Sequence, residues 1–238
     1  MFLRNYPAMV VKENLIVSDL HLGITKELYE SGIMMPQQSS RLSERLNKIK
    51  SMTKTRRLVI LGDVKHEIPV ISIQEKKEIH KFFERLNFNK VIITKGNHDG
   101  RIEELIANVK KDIKIKNSFA VGGYAFTHGH IKIKTKKKKI VIGHNHPKIM
   151  FKDAMNATYF EQVCIKGEAV YDGKKREIII MPPFNELAGS LVVNDMKRSD
   201  KEHKHFMGPI ARHMTNINVY LLDGTDLGNL MSLTVRRE

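Results

Sequence analysis

Three apolar segments in the first half of the chain each end in a polar cluster and lead into a helical pattern. The segments and their clusters are Leu15–Val17 with Asp19 and His21, Arg57–Leu61 with Asp63, and Val91–Thr94 with Asn97, His98 and Asp99. Each segment has the length and composition of a buried strand. Repeated strand–loop–helix units build a sheet that places ligand-binding residues at the carboxyl ends of its strands. We therefore expect the three clusters at one sheet edge.

Helical spacing of apolar residues follows the polar clusters. The predicted helices are Thr25–Glu30, Ser39–Lys50, a helix that begins after Ser72, and Arg101–Val109. Ser72 and Glu75 have the spacing of a capping box, and Ile79 and Phe82 of the following helix share one face. These segments complete three strand–loop–helix units.

After residue 112 the pattern changes to strands without intervening helices. The predicted strands are Ile113–Lys116, Phe119–Val121, Tyr124–Thr127, Ile140–Ile142, Ala169–Tyr171, Glu177–Ile180 and Asn218–Leu222. Asp172-Gly173 is a typical hairpin turn. We expect this half to form a largely antiparallel sheet packed against the first. The whole chain, 1–238, is interpreted as one domain, with a polar, flexible loop over 195–213 that contains the solvated His203, His205 and His213.

Charge and cysteine content restrict the class of protein. The 238 residues contain 41 Lys+Arg against 26 Asp+Glu, a net charge of +15. This excess favours anionic partners such as nucleic acid or nucleotides, although a proteome with generally basic surfaces would explain it equally well. No apolar run approaches the roughly 20 residues that cross a bilayer, and no signal sequence is recognisable. One cysteine, Cys164, cannot form an internal disulfide, so we expect a cytoplasmic protein without membrane contact.

Two further polar clusters follow strands in the second half. They are His128-Gly129-His130 and Gly143-His144-Asn145-His146. Together the clusters offer carboxylate, imidazole and amide groups but no thiolate, a mixture that suits Mn, Fe, Zn, Ni or Mg better than a structural zinc site. Side chains one residue apart on a strand point to opposite faces. The Asp-x-His and His-x-His pairs are therefore expected on loops just past the strand ends.

The clusters, in this order, resemble the five motifs of the calcineurin-like metallophosphoesterase superfamily. Those motifs run Asp-x-His, Gly-Asp, Gly-Asn-His-Asp/Glu, His and Gly-His-x-His, and all are present between residues 19 and 146. The stretches Ser18–Gly23, Leu61–His66 and Gly143–Pro147 look like the ICC-like branch, which includes archaeal proteins and a bacterial phosphoesterase associated with DNA ligase. The resemblance implies an α/β fold: a four-layer α-β-β-α sandwich of two mixed sheets flanked by helices.

The resemblance also implies two divalent metal ions, with Mn²⁺ expected and Fe, Zn, Ni or Mg as alternatives. The implied ligands are Asp19, His21 and His146 for the first ion, Asn97, His128 and His144 for the second, and Asp63 as a bridge between them. The ions would share a hydroxide and hold the phosphate for in-line attack. His98 would protonate the leaving oxygen or stabilise charge on the phosphoryl group. Asp99 would accept a hydrogen bond from His98 and fix its tautomer.

Several neighbouring residues have two interpretations. His66 follows Asp63 by three residues and could contact substrate or make a loop hydrogen bond. His130 neighbours His128, but the motif uses the first histidine, so His130 is not expected to be a ligand. The lysine run 132–139 lies between two ligand motifs. Its members Lys136, Lys137 and Lys138 could bind substrate phosphates at the mouth of the site, or could simply protect an edge strand from pairing.

The expected function is hydrolysis of phosphate esters, above all phosphodiesters of nucleotides or nucleic acid. One alternative is a scaffolding module on the same fold that has lost catalysis, against which stands the presence of all seven expected ligands. The other is a protein whose main activity is nucleic-acid binding through its basic surface. The oligomeric state stays open, and a dimer is one option.

Overall fold

The computed structural model describes residues 1–196 and 206–236. The helices in this part of the chain are α1 (Ile24–Glu30), α2 (Ser39–Thr53), α3 (Ile73–Arg85), α4 (Ile102–Ile106) and a 3₁₀ turn at Leu230–Leu233. The strands are β1 (Met9–Val11), β2 (Asn14–Ser18), β3 (Arg57–Leu61), β4 (Lys90–Thr94), β5 (Asp112–Lys116), β6 (Phe119–Val121), β7 (Tyr124–Phe126), β8 (Lys139–Ile142), β9 (Pro147–Lys152), β10 (Thr158–Tyr171), β11 (Lys174–Ile180), β12 (Leu191–Val192), β13 (Asp195–Met196), β14 (Thr215–Leu221), β15 (Asp226–Asn229) and β16 (Val235–Arg236).

The first sheet has the strand order β1-β2-β3-β4-β5, in which only the β1–β2 pair is antiparallel. The predicted strand–loop–helix units are confirmed, because α1 and α2 connect β2 to β3, and α3 connects β3 to β4. Ser72 caps α3 as the sequence indicates, since its hydroxyl accepts a hydrogen bond from the Glu75 backbone N–H at 3.1 Å. Parallel pairing places the carboxyl ends of β2, β3 and β4 at one edge.

β5 differs from the prediction, since it belongs to the first sheet and not to the second. It pairs parallel to β4, with Ile113 opposite Val91 and Ile115 opposite Ile93. The short helix α4 is a sufficient crossover, and Ile113 and Ile115 pack against the core beneath the helices. The change from one sheet to the other therefore comes one strand later along the chain than the change from helices to strands.

The second sheet has the order β12-β9-β10-β11-β8-β7-β6, and β14 pairs with β10 and β15. The predicted hairpin is confirmed, with Tyr171 opposite Lys174 across the Asp172-Gly173 turn. Most pairs are antiparallel, but β8 runs parallel to both β7 and β11, and β12 runs parallel to β9. This arrangement makes the sheet mixed and places the carboxyl ends of β7 and β8 side by side.

The two sheets pack face to face, and alternate residues of each strand enter different layers. On β2 and β3, Ile16 and Val59 meet Val141 and Ile179 of the second sheet. The other strand face, including Leu15, packs under the helices. Burying an aliphatic side chain of this size contributes about 1.5–3 kcal/mol, so both faces hold the first sheet in place. None of the helices in the described residues has the length and apolar character needed to cross a membrane.

The α/β class with two mixed sheets is confirmed, but the outer face of the second sheet has an unexpected cover. In the described part of the chain this face is covered by irregular segments and the 3₁₀ turn, not by an α-helix. The side chains that pack on it include Ile133, Val193, Phe206, Ile210 and Met214.

The segment 195–213, predicted to be a flexible loop, is described only in part. Residues 197–205, with His203 and His205, lie outside the described residues. Residues 206–213 run against the second sheet, and Phe206, Ile210 and Ala211 are buried. Asn145 anchors this stretch: its Oδ1 accepts from the Met207 N–H at 2.6 Å and its Nδ2 donates to the Met207 carbonyl. A few apolar residues among many polar ones are enough to fix this stretch. His213 is exposed, as predicted.

Candidate metal centre

The carboxyl ends of five strands from both sheets meet at one place. Asp19 and His21 follow β2, Asp63 follows β3, Asn97 and His98 follow β4, His128 follows β7, and His144 and His146 follow β8. Their ligand atoms form two adjoining clusters, in each of which the side-chain donors lie within 4.8 Å of one another. The structure thus brings together residues up to 127 positions apart along the sequence.

Most of these residues have unusual backbone geometry. Positive φ angles occur at Asp19 (52°), His21 (42°), Asp63 (46°), His144 (67°) and His146 (44°). Non-glycine residues rarely adopt this region, and such strain concentrates at functional sites. Because of these φ angles, the two side chains of each Asp-x-His or His-x-His pair point toward the same centre. The sequence predicts such loops, since the two side chains would point to opposite faces of a strand. Backbone hydrogen bonds from the Leu20 and His21 N–H groups to the Asp63 carbonyl, at 3.0 and 2.9 Å, hold two of these loops together.

Two glycines allow the loops to approach so closely. A Cβ atom on Gly96 would collide with the carboxylate and backbone nitrogen of Asp63, and one on Gly62 would collide with the ring of His128. Gly62 also has a φ of 71°, which favours glycine. The glycines in the Gly-Asp and Gly-Asn-His motifs therefore make room for the side chains that carry the chemistry.

The first cluster contains Asp19, His21, Asp63 and His146. The Nε2 atoms of His21 and His146 face each other at 3.3 Å. His146 Nε2 lies 3.2 Å from an Asp19 carboxylate oxygen, and His21 Nε2 lies 3.7 Å from Asp63 Oδ2. Two imidazole nitrogens and two carboxylates thus converge on one point.

The second cluster contains Asp63, His128 and His144, and Asn97 joins it. His128 Nε2 lies 3.3 Å from Asp63 Oδ2, 3.1 Å from His144 Nδ1 and 2.9 Å from Asn97 Oδ1. Asp63 Oδ2 therefore faces His21 of the first cluster as well as His128 of the second. All seven residues expected as ligands lie in these two clusters.

Backbone carbonyls fix the orientation of two of the rings. His128 Nδ1 donates to the Leu61 carbonyl at 2.9 Å, and His146 Nδ1 donates to the Gly189 carbonyl at 2.8 Å. With a proton on Nδ1, each neutral ring presents the Nε2 lone pair to the centre, the arrangement found around metal-bound histidines. Inward lone pairs beside carboxylate and amide oxygens fit divalent cations of the Mn, Fe, Zn or Ni type.

Burial and the neighbouring charges shift the pKa values of the site histidines in different directions. Burial lowers the pKa of His21 to about 3, and burial together with the charge of His128 lowers that of His144 to about 4. Both rings are therefore neutral near pH 7, as ligands must be. For His128, burial alone would lower the pKa, but the hydrogen bond that its ring donates to Asp63 and the charge of Asp19 outweigh burial and raise the pKa to about 9. For Asp63, the neighbouring histidines outweigh burial and lower the pKa.

The structure contradicts the role expected for Asp99. His98 Nδ1 donates to the backbone carbonyl of His66 at 2.6 Å, not to Asp99. The Asp99 carboxylate is fully buried and instead accepts from the backbone N–H groups of Gly96 and Val64, both at 2.8 Å. Because a carboxylate with two oxygens can join two loops, Asp99 fastens the β4 loop to the β3 loop. Burial and the charge of Asp63 raise its pKa.

Replacement of Asp99 by Asn should destabilise the protein by about 2–4 kcal/mol, because the new NH₂ group would face a backbone N–H and leave it without an acceptor. For a domain of this size, that corresponds to a fall in melting temperature of roughly 5–15 °C. Thermal unfolding followed by circular dichroism measures the change. Asp112→Asn, at an exposed position of β5, is the matched control and should melt with the parent protein. Equal melting temperatures for both variants would contradict this role.

His66 and the lysines lie in different places relative to the clusters. The His66 ring is adjacent to the first cluster, with ring centroids 5.2 Å from His21 and 5.8 Å from His98. His130 packs its ring on His128 but belongs to neither cluster. Arg176 donates to the Lys137 carbonyl at 2.6 Å, and the Glu177 N–H donates to that of Lys138 at 3.0 Å.

These contacts place Lys136, Lys137 and Lys138 beside the amino ends of β8 and β11, since Glu177 pairs with Lys139 and Ile180 with Ile142. The metal clusters follow the carboxyl ends. The lysines therefore differ from expectation, because they lie at the opposite end of the sheet and not at the mouth of the site. Residues 131–138 form no strand. Hydrogen bonds between Ile133 and the Tyr171 hydroxyl lead this stretch back along the sheet without a helix.

Sequence reasoning missed the groups that orient the rings. The carbonyls of Leu61, His66 and Gly189 leave no trace in the sequence, because every residue has a carbonyl. The carboxylate of Glu27, a residue of α1, lies 2.5 Å from His66 Nε2. It belongs to no motif and could be found only from the structure.

Comparisons with known proteins agree with the geometry. The family model of calcineurin-like phosphoesterases matches residues 15–181. The nuclease MPE of Pseudomonas putida has a similar structure, with a TM-score of 0.52 and 18% identity over 91% of this chain and 88% of that one. The phosphoesterase YfcE of E. coli aligns over 90% of this chain and 96% of its own, with a TM-score of 0.40 and 15% identity. No curated protein matches the chain.

The family match spans most of the chain and includes every cluster residue, and it confirms the resemblance seen in the motifs. The His and Asp clusters fit the divalent metal ions that this family uses. This chain belongs to the calcineurin-like phosphoesterases, hydrolases that act on phosphate esters.

Proposed function

We propose that this protein is a dinuclear metal-dependent phosphoesterase that hydrolyses phosphodiesters of nucleotides or nucleic acid. The observation that carries this proposal is the position of Asp63. One of its carboxylate oxygens lies 3.3 Å from His128 Nε2 and 3.7 Å from His21 Nε2. A single carboxylate between two sets of nitrogen and oxygen donors is suited to join two cations.

The proposed ligands divide as the clusters do. Asp19, His21 and His146 would hold one ion, Asn97, His128 and His144 would hold the other, and Asp63 lies between the two sets. When bound, two divalent cations neutralise the phosphate and lower the pKa of an attacking water. The chain contributes the fixed geometry. Its buried carboxylates are held by backbone groups, for instance by the His144 N–H, which lies 3.2 Å from both Asp19 oxygens.

His98 is the proposed proton donor to the leaving oxygen. Its backbone N–H donates to Asp63 Oδ1 at 2.9 Å, and its Nδ1 donates to the His66 carbonyl. These two bonds fix the ring and leave Nε2 as the atom that is free to carry a second proton. The ring centroid lies 5.0 Å from that of His21, so the group is next to the first cluster without belonging to either proposed ligand set.

The substrate class follows from charge. A diester of nucleotides is an anion, and the net charge of +15 favours its approach. That a nuclease shares the fold supports the same class. Mn²⁺ is the proposed metal, since carboxylate and amide oxygens suit it; Fe, Zn and Ni, which suit the imidazole ligands, are the alternatives.

A substrate and metal panel tests the proposal. Demetallated protein should hydrolyse bis(p-nitrophenyl) phosphate, and linear or cyclic nucleotide diesters, only after addition of Mn²⁺ or a similar ion. Rates on the monoester p-nitrophenyl phosphate should be at least about tenfold lower, a difference of about 1.4 kcal/mol in transition-state binding. Preference for the monoester, or no diester turnover with Mn²⁺, Fe²⁺, Ni²⁺, Zn²⁺ or Mg²⁺, would contradict it.

A second candidate, nucleic-acid binding through a basic surface, has its own supporting observation. A cleft of about 370 Å³ lies at the amino ends of β3 and β4, away from the metal clusters, and is lined by Lys50, Arg56, Arg57 and Lys90 together with Asn89 and Glu13. Binding of duplex DNA by metal-free protein, measured against salt concentration, discriminates between the two. A steep negative slope favours this surface, whereas absent or salt-insensitive binding eliminates it.

A further inference from the structure

The two nitrogens of His21 face different partners. Nε2 points into the first cluster, 3.3 Å from His146 Nε2. Nδ1 faces Nδ1 of His66 at 3.1 Å. On the other side of the His66 ring, Nε2 lies 2.5 Å from the Glu27 carboxylate. Three side chains from the β2 loop, the β3 loop and α1 thus form a line that ends at the cluster.

The cation site at one end of this line and the Glu27 carboxylate at the other determine which ring nitrogen carries each proton. If His21 Nε2 offers its lone pair to a cation, its proton must be on Nδ1. That proton is then donated to His66 Nδ1, which must be unprotonated. The His66 proton is consequently on Nε2, from which it is donated to the acceptor-only carboxylate of Glu27. Every atom in the line has a defined role, and reversing one tautomer would place two N–H groups or two lone pairs against each other.

The backbone of His66 is fixed independently of its ring. Its N–H donates to Glu75 Oε1 at 2.8 Å, as does the N–H of Glu67. Lys26 of α1 contacts the Glu67 carboxylate at 3.2 Å and so joins the helix that carries Glu27 to this loop. The His66 carbonyl accepts from His98 Nδ1. One residue therefore orients His98 through its backbone and His21 through its side chain.

We propose that His66 and Glu27 are positioning residues of the first metal site, which fix the tautomer and direction of His21 through a Glu–His–His line. The inference rests on the proposed function, since it requires a cation at the first cluster. It gives His66 a role other than substrate contact. A carboxylate that orients a metal-bound histidine directly is a common arrangement; here a second histidine is inserted between them.

An alternative occupant of the same place is a third ion. Nitrogen atoms of His21, His66 and His98 also lie within 4.8 Å of one another. An ion there would replace the proton between the two Nδ1 atoms. The experiment therefore counts ions as well as measuring their affinity.

Isothermal titration of demetallated full-length protein with Mn²⁺ tests the proposal. The parent protein should bind two ions. In His66→Ala, affinity at one site should fall about 10- to 100-fold, the usual effect of losing such a partner, while the other site is unchanged. His66→Gln should recover part of the loss, because its amide oxygen can accept from His21. Saturating Mn²⁺ should restore most of the turnover of His66→Ala, since the His98 acceptor is a backbone carbonyl that the substitution keeps.

A matched control is available in His80, whose Nδ1 lies 3.3 Å from Glu84 Oε1 on α3, away from both clusters. His80→Ala should leave both affinities unchanged. Glu27→Ala should weaken the same site as His66→Ala but by a smaller factor, and Glu27→Gln should retain near-parent affinity, because its amide oxygen still accepts from His66. Unaltered affinity at both sites in His66→Ala, or three bound ions in the parent, would overturn the proposal. A parent protein that binds no ion would instead refute the proposed function.

Nuclear magnetic resonance gives an independent result. With Zn²⁺ as a diamagnetic probe, the ¹⁵N shifts of His66 should show Nε2 protonated and Nδ1 unprotonated. The opposite tautomer would overturn the proposal even if His66→Ala had a lower Mn²⁺ affinity, because His66 would then donate a hydrogen bond to His21 and not accept one from it.

Discussion

Asp63→Asn should lower turnover of a phosphodiester by about 10²–10³-fold or more, even at saturating Mn²⁺. Loss of one preorganised electrostatic group has this size of effect, and Asp63 serves both clusters at once. The substitution keeps the shape of the side chain, and an amide oxygen can still accept from the His98 N–H as Oδ1 does now at 2.9 Å. The loss should therefore arise in catalysis and metal affinity and not in folding.

Steady-state kinetics with bis(p-nitrophenyl) phosphate, together with a melting curve of the metal-free protein, check this expectation. Asp112→Asn is again the matched control, since Asp112 is exposed and remote from the site. Unchanged turnover in Asp63→Asn would exclude a bridging role for this carboxylate.

His98→Ala should reduce kcat on an unactivated diester by about 10²–10⁴-fold, the contribution of a general acid, with Mn²⁺ affinity unchanged. We expect kcat to fall without a change in Mn²⁺ affinity because His98 lies beside the first cluster but is not among the proposed ligands. A substrate with a good leaving group needs no proton, so turnover of bis(p-nitrophenyl) phosphate should fall much less. The comparison of two substrates distinguishes proton donation from stabilisation of phosphoryl charge, which would affect both equally.

Measurement of kcat on a dinucleotide and on bis(p-nitrophenyl) phosphate, with His80→Ala as control, is sufficient. Full activity of His98→Ala on both substrates would contradict any chemical role for this ring. A lower Mn²⁺ affinity would instead indicate that His98 is a ligand.

The convergence of the candidate residues could be predicted from the sequence because the signal is local. Each apolar strand is followed at once by a glycine or polar turn and by ligand-type side chains. The parallel order of β2, β3 and β4 could be inferred from the strand–loop–helix pattern. Once those carboxyl ends coincide, Asp19, Asp63 and Asn97 must be close, and the five positive φ angles show how the backbone directs the side chains inward.

Long-range contacts explain most of what was not predicted. The pairing of β5 with β4 depends on the short α4, whose weak periodicity gives no information about which sheet follows. The position of Lys136–Lys138 depends on Arg176 and Glu177, some forty residues later. The family resemblance implied Asp99 as the partner of His98, yet His98 Nδ1 donates to the carbonyl of His66, more than thirty residues earlier.

The packing of residues 206–213 against the second sheet could not be predicted from the sequence for a different reason. Its charged and polar neighbours dominate the local composition, whereas Phe206, Ile210 and Ala211 are isolated apolar residues without a clear period. Their burial follows from the need to cover the outer face of the second sheet, where the described residues supply no α-helix. Composition averaged over a window cannot reveal such a cover.

Anomalous diffraction from crystals soaked in Mn²⁺ tests the proposed two-metal centre most directly. We expect two peaks per chain, one among Asp19, His21 and His146 and the other among Asn97, His128 and His144, with Asp63 in contact with both. A single peak, or peaks that do not share Asp63, would contradict the dinuclear centre on which the proposed function depends.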